Sequence, residues 1–146
     1  DLGRCLVKLG RHRRRVQENP LEAYDRATAA CGQAIRRNGK LVEAFHLRAE
    51  AHRGRGEWRA GGDAEAAQAY RDAIEDYSKA LELAPRFPSA YAGRGRARML
   101  LADVPGTQTA EARQLLEGAN EDLEEAARLA PLEEEVKSWR EELKKR

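Results

Sequence analysis

Between residues 70 and 84 the apolar positions fall at Tyr70, Ala73, Ile74, Tyr77, Ala80, Leu81, Leu83 and Ala84. That is the i, i+3, i+4, i+7 spacing of a helix with one buried stripe. Pro85 closes the run, since a residue before proline avoids the α region, and Pro131 closes another in the same way. Pro88 can open a helix. Asn19-Pro20-Leu21-Glu22 supplies a cap, a proline at the first helical position and a glutamate three residues after the cap. Asp63 can cap the next start with Glu65 in its first turn, and Thr109 and Glu111 hold the same places later. Gly61-Gly62 and Pro105-Gly106 read as turns. The pattern predicts seven helices, roughly 1–17, 20–38, 41–60, 63–84, 88–103, 108–130 and 132–145.

The pattern also repeats. Residues 44–85 laid over 90–131 without a gap give fourteen identities in 42 positions, among them Arg48/Arg94, Glu75/Glu121, Asp76/Asp122 and Pro85/Pro131. The same shift of 46 carries Tyr70 back to Tyr24, Ala73 to Ala27 and Gly56 to Gly10, so a more degenerate copy comes first. A fixed period of this length means stacked supersecondary units, none of which can bury its apolar face alone. The 146 residues are expected to form a single domain: units over about 1–43, 44–89 and 90–131, then a helix over 132–146. In that last helix Leu132, Val136, Trp139 and Leu143 share a face, as a helix covering the open apolar end of a stack requires.

Composition fits this picture: 36% charged residues and only 5% aromatic suggest helices closed by small side chains. The net charge is only +2, but residues 1–60 hold fourteen Lys/Arg against seven Asp/Glu, and residues 61–146 hold thirteen against eighteen. Cys5 and Cys31 lack C-x-x-C spacing and read as two reduced core thiols. No apolar run approaches the ~20 residues of a membrane span, and no signal peptide is visible; a cytoplasmic location is expected. The helical pattern is already running at Asp1, as in a domain taken from a longer protein.

The residue order resembles the tetratricopeptide repeat family. Its first helix opens with an aromatic, followed by Leu or Arg beside a small residue and then Ala; here those are Phe45, Arg48-Ala49 and Ala51, and again Tyr91, Arg94-Gly95 and Ala97. Its second helix carries a small residue, a bulky one, Ala and a closing Pro: Ala73, Tyr77, Ala80, Pro85, then Ala119, Leu123, Ala126, Pro131. Unit one departs, with Gly39 in place of the Pro and Cys31 in place of the bulky residue. So does the period, 46 here against about 34 in the family. Twelve extra residues add about 18 Å of helix, or roughly 9 Å on each arm of a hairpin, which predicts second helices of about 20 residues. HEAT or armadillo repeats have periods near 46 but lack this small/aromatic/Pro order. The resemblance implies an all-α, right-handed α-α superhelix of three hairpins with lengthened helices and a C-terminal capping helix.

It also implies that the first helices line a concave groove for a peptide or a partner's helix. By register the exposed positions there are Arg4, His46, Glu50, Arg53, Ala92, Arg96 and Met99, a face of mixed charge with an apolar spot at Met99. A merely solvated face is the plainer reading. The family's clamp for chaperone C-terminal carboxylates needs Lys and Asn where this chain has His46, Glu50, Leu47 and Gly93, so that partner is not expected. Arg11-His12-Arg13-Arg14-Arg15 has no interleaved aromatics for base stacking and reads as the solvated end of a long helix rather than a nucleic-acid site. Gly93-Arg94-Gly95 lies within a helix and is not a phosphate loop; His12, His46 and His52 lack metal spacing; no nucleophile sits in a triad or elbow motif. Trp58, at a helix end, either packs on a neighbouring unit or makes an exposed contact. Neither cofactor nor metal is expected, and the sequence favours a non-catalytic protein–protein interaction scaffold. The alternative is a regulatory or spacer domain attached to an enzyme such as a bacterial protein kinase.

Overall fold

The computed structural model describes residues 2–15, 18–59 and 61–146. These form seven helices: α1 (Leu2–Arg15), α2 (Leu21–Arg37), α3 (Val42–Trp58), α4 (Asp63–Leu83), α5 (Pro88–Ala102), α6 (Thr109–Leu129) and α7 (Glu134–Lys144). The described residues contain no strand, so the fold is all-α. The predicted extents agree to within a few residues; the expected helical ends at Asp1, Val16, Gln17 and Ala60 lie outside the described residues. The second helices α4 and α6 each run 21 residues, as the period requires, but α2 runs 17 and the first helices α3 and α5 run 17 and 15, so the extra length lies mainly in α4 and α6 and not equally on both arms.

Local chemistry sets most boundaries. Asn19 Oδ1 accepts from the Leu21 N–H at 2.9 Å, with Pro20 already in helical dihedrals, so the predicted cap of α2 forms. Two other caps do not. α4 and α6 begin without a side-chain cap, because Asp63 and Thr109 already lie inside their helices, after Gly62 and Gln108; the Asp63 carboxylate pairs with Arg59 at 2.8 Å. Arg59 takes the left-handed conformation that ends α3, with φ 55°. The two glycines with φ near +90°, Gly62 and Gly106, provide the turns that only glycine adopts without strain.

The 46-residue shift reappears as contacts. Tyr24 lies over Gly10 between α2 and α1, and Tyr70 lies over Gly56 between α4 and α3. Arg48 binds Asp76 at 2.8 Å and Arg94 binds Asp122 at 2.7 Å. Arg48 stands 5.8 Å over the Phe45 ring and Arg94 stands 5.7 Å over Tyr91. The end of α3 meets the start of α4 while Phe45, at the start of α3, packs in the cluster containing Ala80 and Leu81 near the end of α4. The paired helices are therefore antiparallel. Close approach depends on missing side chains: a Cβ on Gly54 would stand 2.4 Å from the Tyr24 ring, and one on Gly93 would stand 2.4 Å from the Tyr77 ring. Tyr24, Tyr70 and Tyr77 are almost completely buried against these glycines. Gly93-Arg94-Gly95 is thus a packing feature, as its place in a helix implies. Trp58 is half-buried. Cys31 is buried but Cys5 is exposed, which corrects the reading of two core thiols; no helix among the described residues lies over that side of α1.

Candidate functional site

The first helices α1, α3 and α5 touch one another in series, and α7 packs on α5 and α6. On the side they share, the structure places the predicted groove residues differently from the register. Arg4 is exposed and engages Glu43. His46 and Arg96 are half-buried, whereas Glu50, Arg53, Ala92 and Met99 are buried, Met99 completely. The expectation of exposure is corrected at these positions. The cause is cover from both ends of the chain: Arg11 of α1 reaches Glu50, and Trp139 of α7 lies over Arg53 and Arg96. Ala92 and Met99 join Val136 and Trp139 in one apolar cluster.

The result is a buried polar seam. Glu50, 7% exposed, accepts a 2.5 Å hydrogen bond from the Tyr77 hydroxyl, contacts Arg11, and has Arg53 at 3.4 Å. Arg53 also donates to the Tyr77 hydroxyl at 3.3 Å and approaches Glu57 at 3.4 Å. Arg14 binds Glu57 at 2.6 Å. Two members of the basic run at 11–15 are therefore paired with acids of α3 rather than simply solvated; His12 is exposed. Burying a carboxylate costs several kcal/mol unless partners replace its water, and here two guanidiniums and a hydroxyl do so. Burial also raises the Tyr77 pKa, which keeps its hydroxyl a donor. His46 makes tilted ring contacts with Tyr77 and Phe87, at centroid distances of 5.8 and 4.8 Å and interplanar angles of 59° and 57°. Its pKa is lowered from 6.5 to about 4, first by burial and then by Arg53, Arg11 and Arg4. Glu50 at 3.8 Å pulls the other way but is already engaged by its other partners.

At the far end of the seam the Trp139 ring lies between two guanidiniums, 5.2 Å from Arg53 and 5.5 Å from Arg96. Arg96 also binds Glu142 at 2.9 Å, and Arg146 binds Asp103 at 2.6 Å. Sequence reading found the α7 face, with Val136 and Trp139 buried and Lys137, Lys144 and their glutamate partners at the surface. As expected of a covering helix, that face packs on the last pair, against Ala92 and Met99 of α5 and Ala119, Leu123 and Ala126 of α6; the sequence did not show that Trp139 also reaches Arg53 of α3. The one signal was an unpaired Trp on a helix otherwise rich in charge, which asks for a cation or an apolar seat. The described residues hold no group of three or more His, Cys, Asp or Glu that could bind a metal ion, and no helix long and apolar enough to cross a membrane.

A scan against protein-family models finds no match, and a search of curated proteins finds none either. The fold and the seam define an all-α protein of paired antiparallel helices, closed by a C-terminal helix laid against the first helix of its third pair.

Proposed function

We propose that the chain is a non-catalytic protein–protein interaction scaffold of the tetratricopeptide-repeat kind. In this reading three hairpins wind into a right-handed superhelix, and their first helices line a groove for a peptide or a partner's helix. The observation that carries it is the seat of α7. An amphipathic helix already lies on the proposed groove, held by a Trp between Arg53 and Arg96 and by the Arg96–Glu142 pair. Stacking of arginine on tryptophan supplies both area and direction, and it suits a helix that carries an aromatic anchor beside an acid. Contacts that recur at the 46-residue shift favour the repeat architecture that such a groove needs.

The test uses the intact chain carrying Trp139→Ala, which removes the ring that α7 places against Arg53 and Arg96. A labelled peptide of residues 132–146 is then titrated and followed by fluorescence anisotropy. Saturable binding is expected, weakened about tenfold or more when Arg53 and Arg96 are also reversed to Glu. No binding, or binding indifferent to those two charges, would sink the reading.

A further inference from the structure

The 46-residue shift carries Pro88, which begins α5, to Glu134, which begins α7. By register, then, α7 stands where the first helix of a further pair would stand. It does not pack like one. α5 closes on α4 because Gly93 leaves room for the fully buried Tyr77 ring, from which a Cβ would stand only 2.4 Å away. The shift carries Gly93 to Trp139 and Tyr77 to Leu123. An indole in place of a glycine keeps the two helix axes apart, and α7 touches α6 far less than α5 touches α4. The Trp139 ring turns instead to the inner side of the first helices, against Arg53 of α3 and Arg96 of α5. Only Val136 and Trp139 of α7 are buried. Its other holds are exposed ion pairs, Glu142 with Arg96 and, just past the helix, Arg146 with Asp103. Residues 130–133, which join α7 to α6, are not helical. Eleven residues are too few to remain helical alone in water, so α7 is held by its seat rather than by itself.

We propose that α7 is an autoinhibitory helix: it fills the partner seat of the groove, and a partner's helix enters only by displacing it. This rests on the groove reading above and adds how that groove is regulated. The seat also defines the incoming helix. The cluster of Ala92 and Met99 takes an aliphatic residue, the space between Arg53 and Arg96 takes an aromatic ring three residues later, and Arg96 takes an acid three residues beyond that, as Val136, Trp139 and Glu142 show. Met99 is completely buried under this cover, so the seat favours exchange of one occupant for another over standing empty. Displacement is then decided by the difference between two similar helices. The partner's apparent affinity falls in proportion to the fraction of molecules whose α7 has left the seat.

Two measurements on the intact chain test this. In native-state amide exchange, residues 134–144 are expected to exchange about tenfold or more faster than the buried amides of α3 and α5, through opening of α7 alone. Exchange at the rate of α3 and α5 overturns the proposal and leaves the groove reading standing, because α7 is then a fixed part of the stack. The second measurement titrates a fluorescein-labelled peptide of residues 132–146, followed by anisotropy. Glu142→Lys removes an exposed hold on Arg96 and no core residue, and is expected to raise the affinity for the peptide several-fold. In Asp103→Cys/Arg146→Cys, with Cys5→Ser and with Cys31 buried, a bismaleimide whose spacer contains a disulfide pins the end of α7 to α5. The pinned chain is expected to bind the peptide about tenfold or more weakly than the same chain after the spacer is reduced. Equal affinity before and after reduction overturns the proposal. If Trp139→Ala still binds the peptide in a manner that depends on Arg53 and Arg96, that result removes the regulation alone. Absence of binding to every one of these chains removes the groove reading with it.

Discussion

Acid is expected to loosen this protein through His46. The imidazole is 15% exposed, in tilted contact with the rings of Tyr77 and Phe87, and its pKa is lowered to about 4. The folded chain therefore holds it neutral at pH values where the unfolded chain protonates it. Below about pH 6.5 the unfolded state binds the extra proton, so stability falls as pH falls and levels off only near pH 4. Linkage gives a loss of about 2 kcal/mol between pH 7 and pH 5 and about 3 kcal/mol over the whole window. The assay is urea denaturation of the native chain and of His46→Phe at pH 7, 6 and 5. Phenylalanine keeps a ring between Tyr77 and Phe87 but cannot titrate. His52, whose pKa is also lowered by burial, is present in both chains and cancels in the difference. The variant should gain on the native chain by about 2 kcal/mol as pH drops from 7 to 5. A difference that stays constant, or that grows toward alkaline pH, refutes the reasoning.

Two further substitutions test the packing. Gly93→Ala puts a Cβ 2.4 Å from the completely buried Tyr77 ring and is expected to lower the unfolding free energy by about 2 kcal/mol or more in urea melts. Gly39→Ala, whose nearest neighbour stands at 4.0 Å, should change it by less than about 0.5 kcal/mol. Asp122→Ala strands Arg94 and Arg98, which bind it at 2.7 Å, and should cost about 2 kcal/mol in the same melts. That figure is at or below the low end for a buried pair, because the two arginine side chains are 18% and 24% exposed and keep some water.

Helix extents, the period and the tyrosine, alanine and glycine positions were legible in the sequence. They rest on forces that act within one or two turns. The i, i+3, i+4 spacing decides which side of a helix is apolar, and proline and glycine decide where it stops. The cap at Asn19 followed the same logic and formed. The cap at Asp63 failed because Gly62 holds the cap position and Asp63 already lies inside α4, where its carboxylate pairs with Arg59. Arg48 and Arg94 looked like spacing signals in the sequence; their partners, Asp76 and Asp122, lie 28 residues on and became visible only when the hairpins closed.

By itself the sequence determined that this chain is a stack of long helices in pairs, with a fourth apolar face on a final helix. Only the tertiary structure decided which positions of α1, α3 and α5 see water. Register placed Glu50, Arg53, Ala92 and Met99 outward, yet Glu50 and Arg53 bond the Tyr77 hydroxyl of their own hairpin, and Ala92 and Met99 join Leu123 of theirs. Exposure is not a property of one hairpin alone, however. It also depends on what the chain ends bring back: Arg11 comes from 39 residues before Glu50, and Trp139 from 86 residues after Arg53. Helical periodicity carries no information across such distances, so the cover of that face became readable only once the helices were packed.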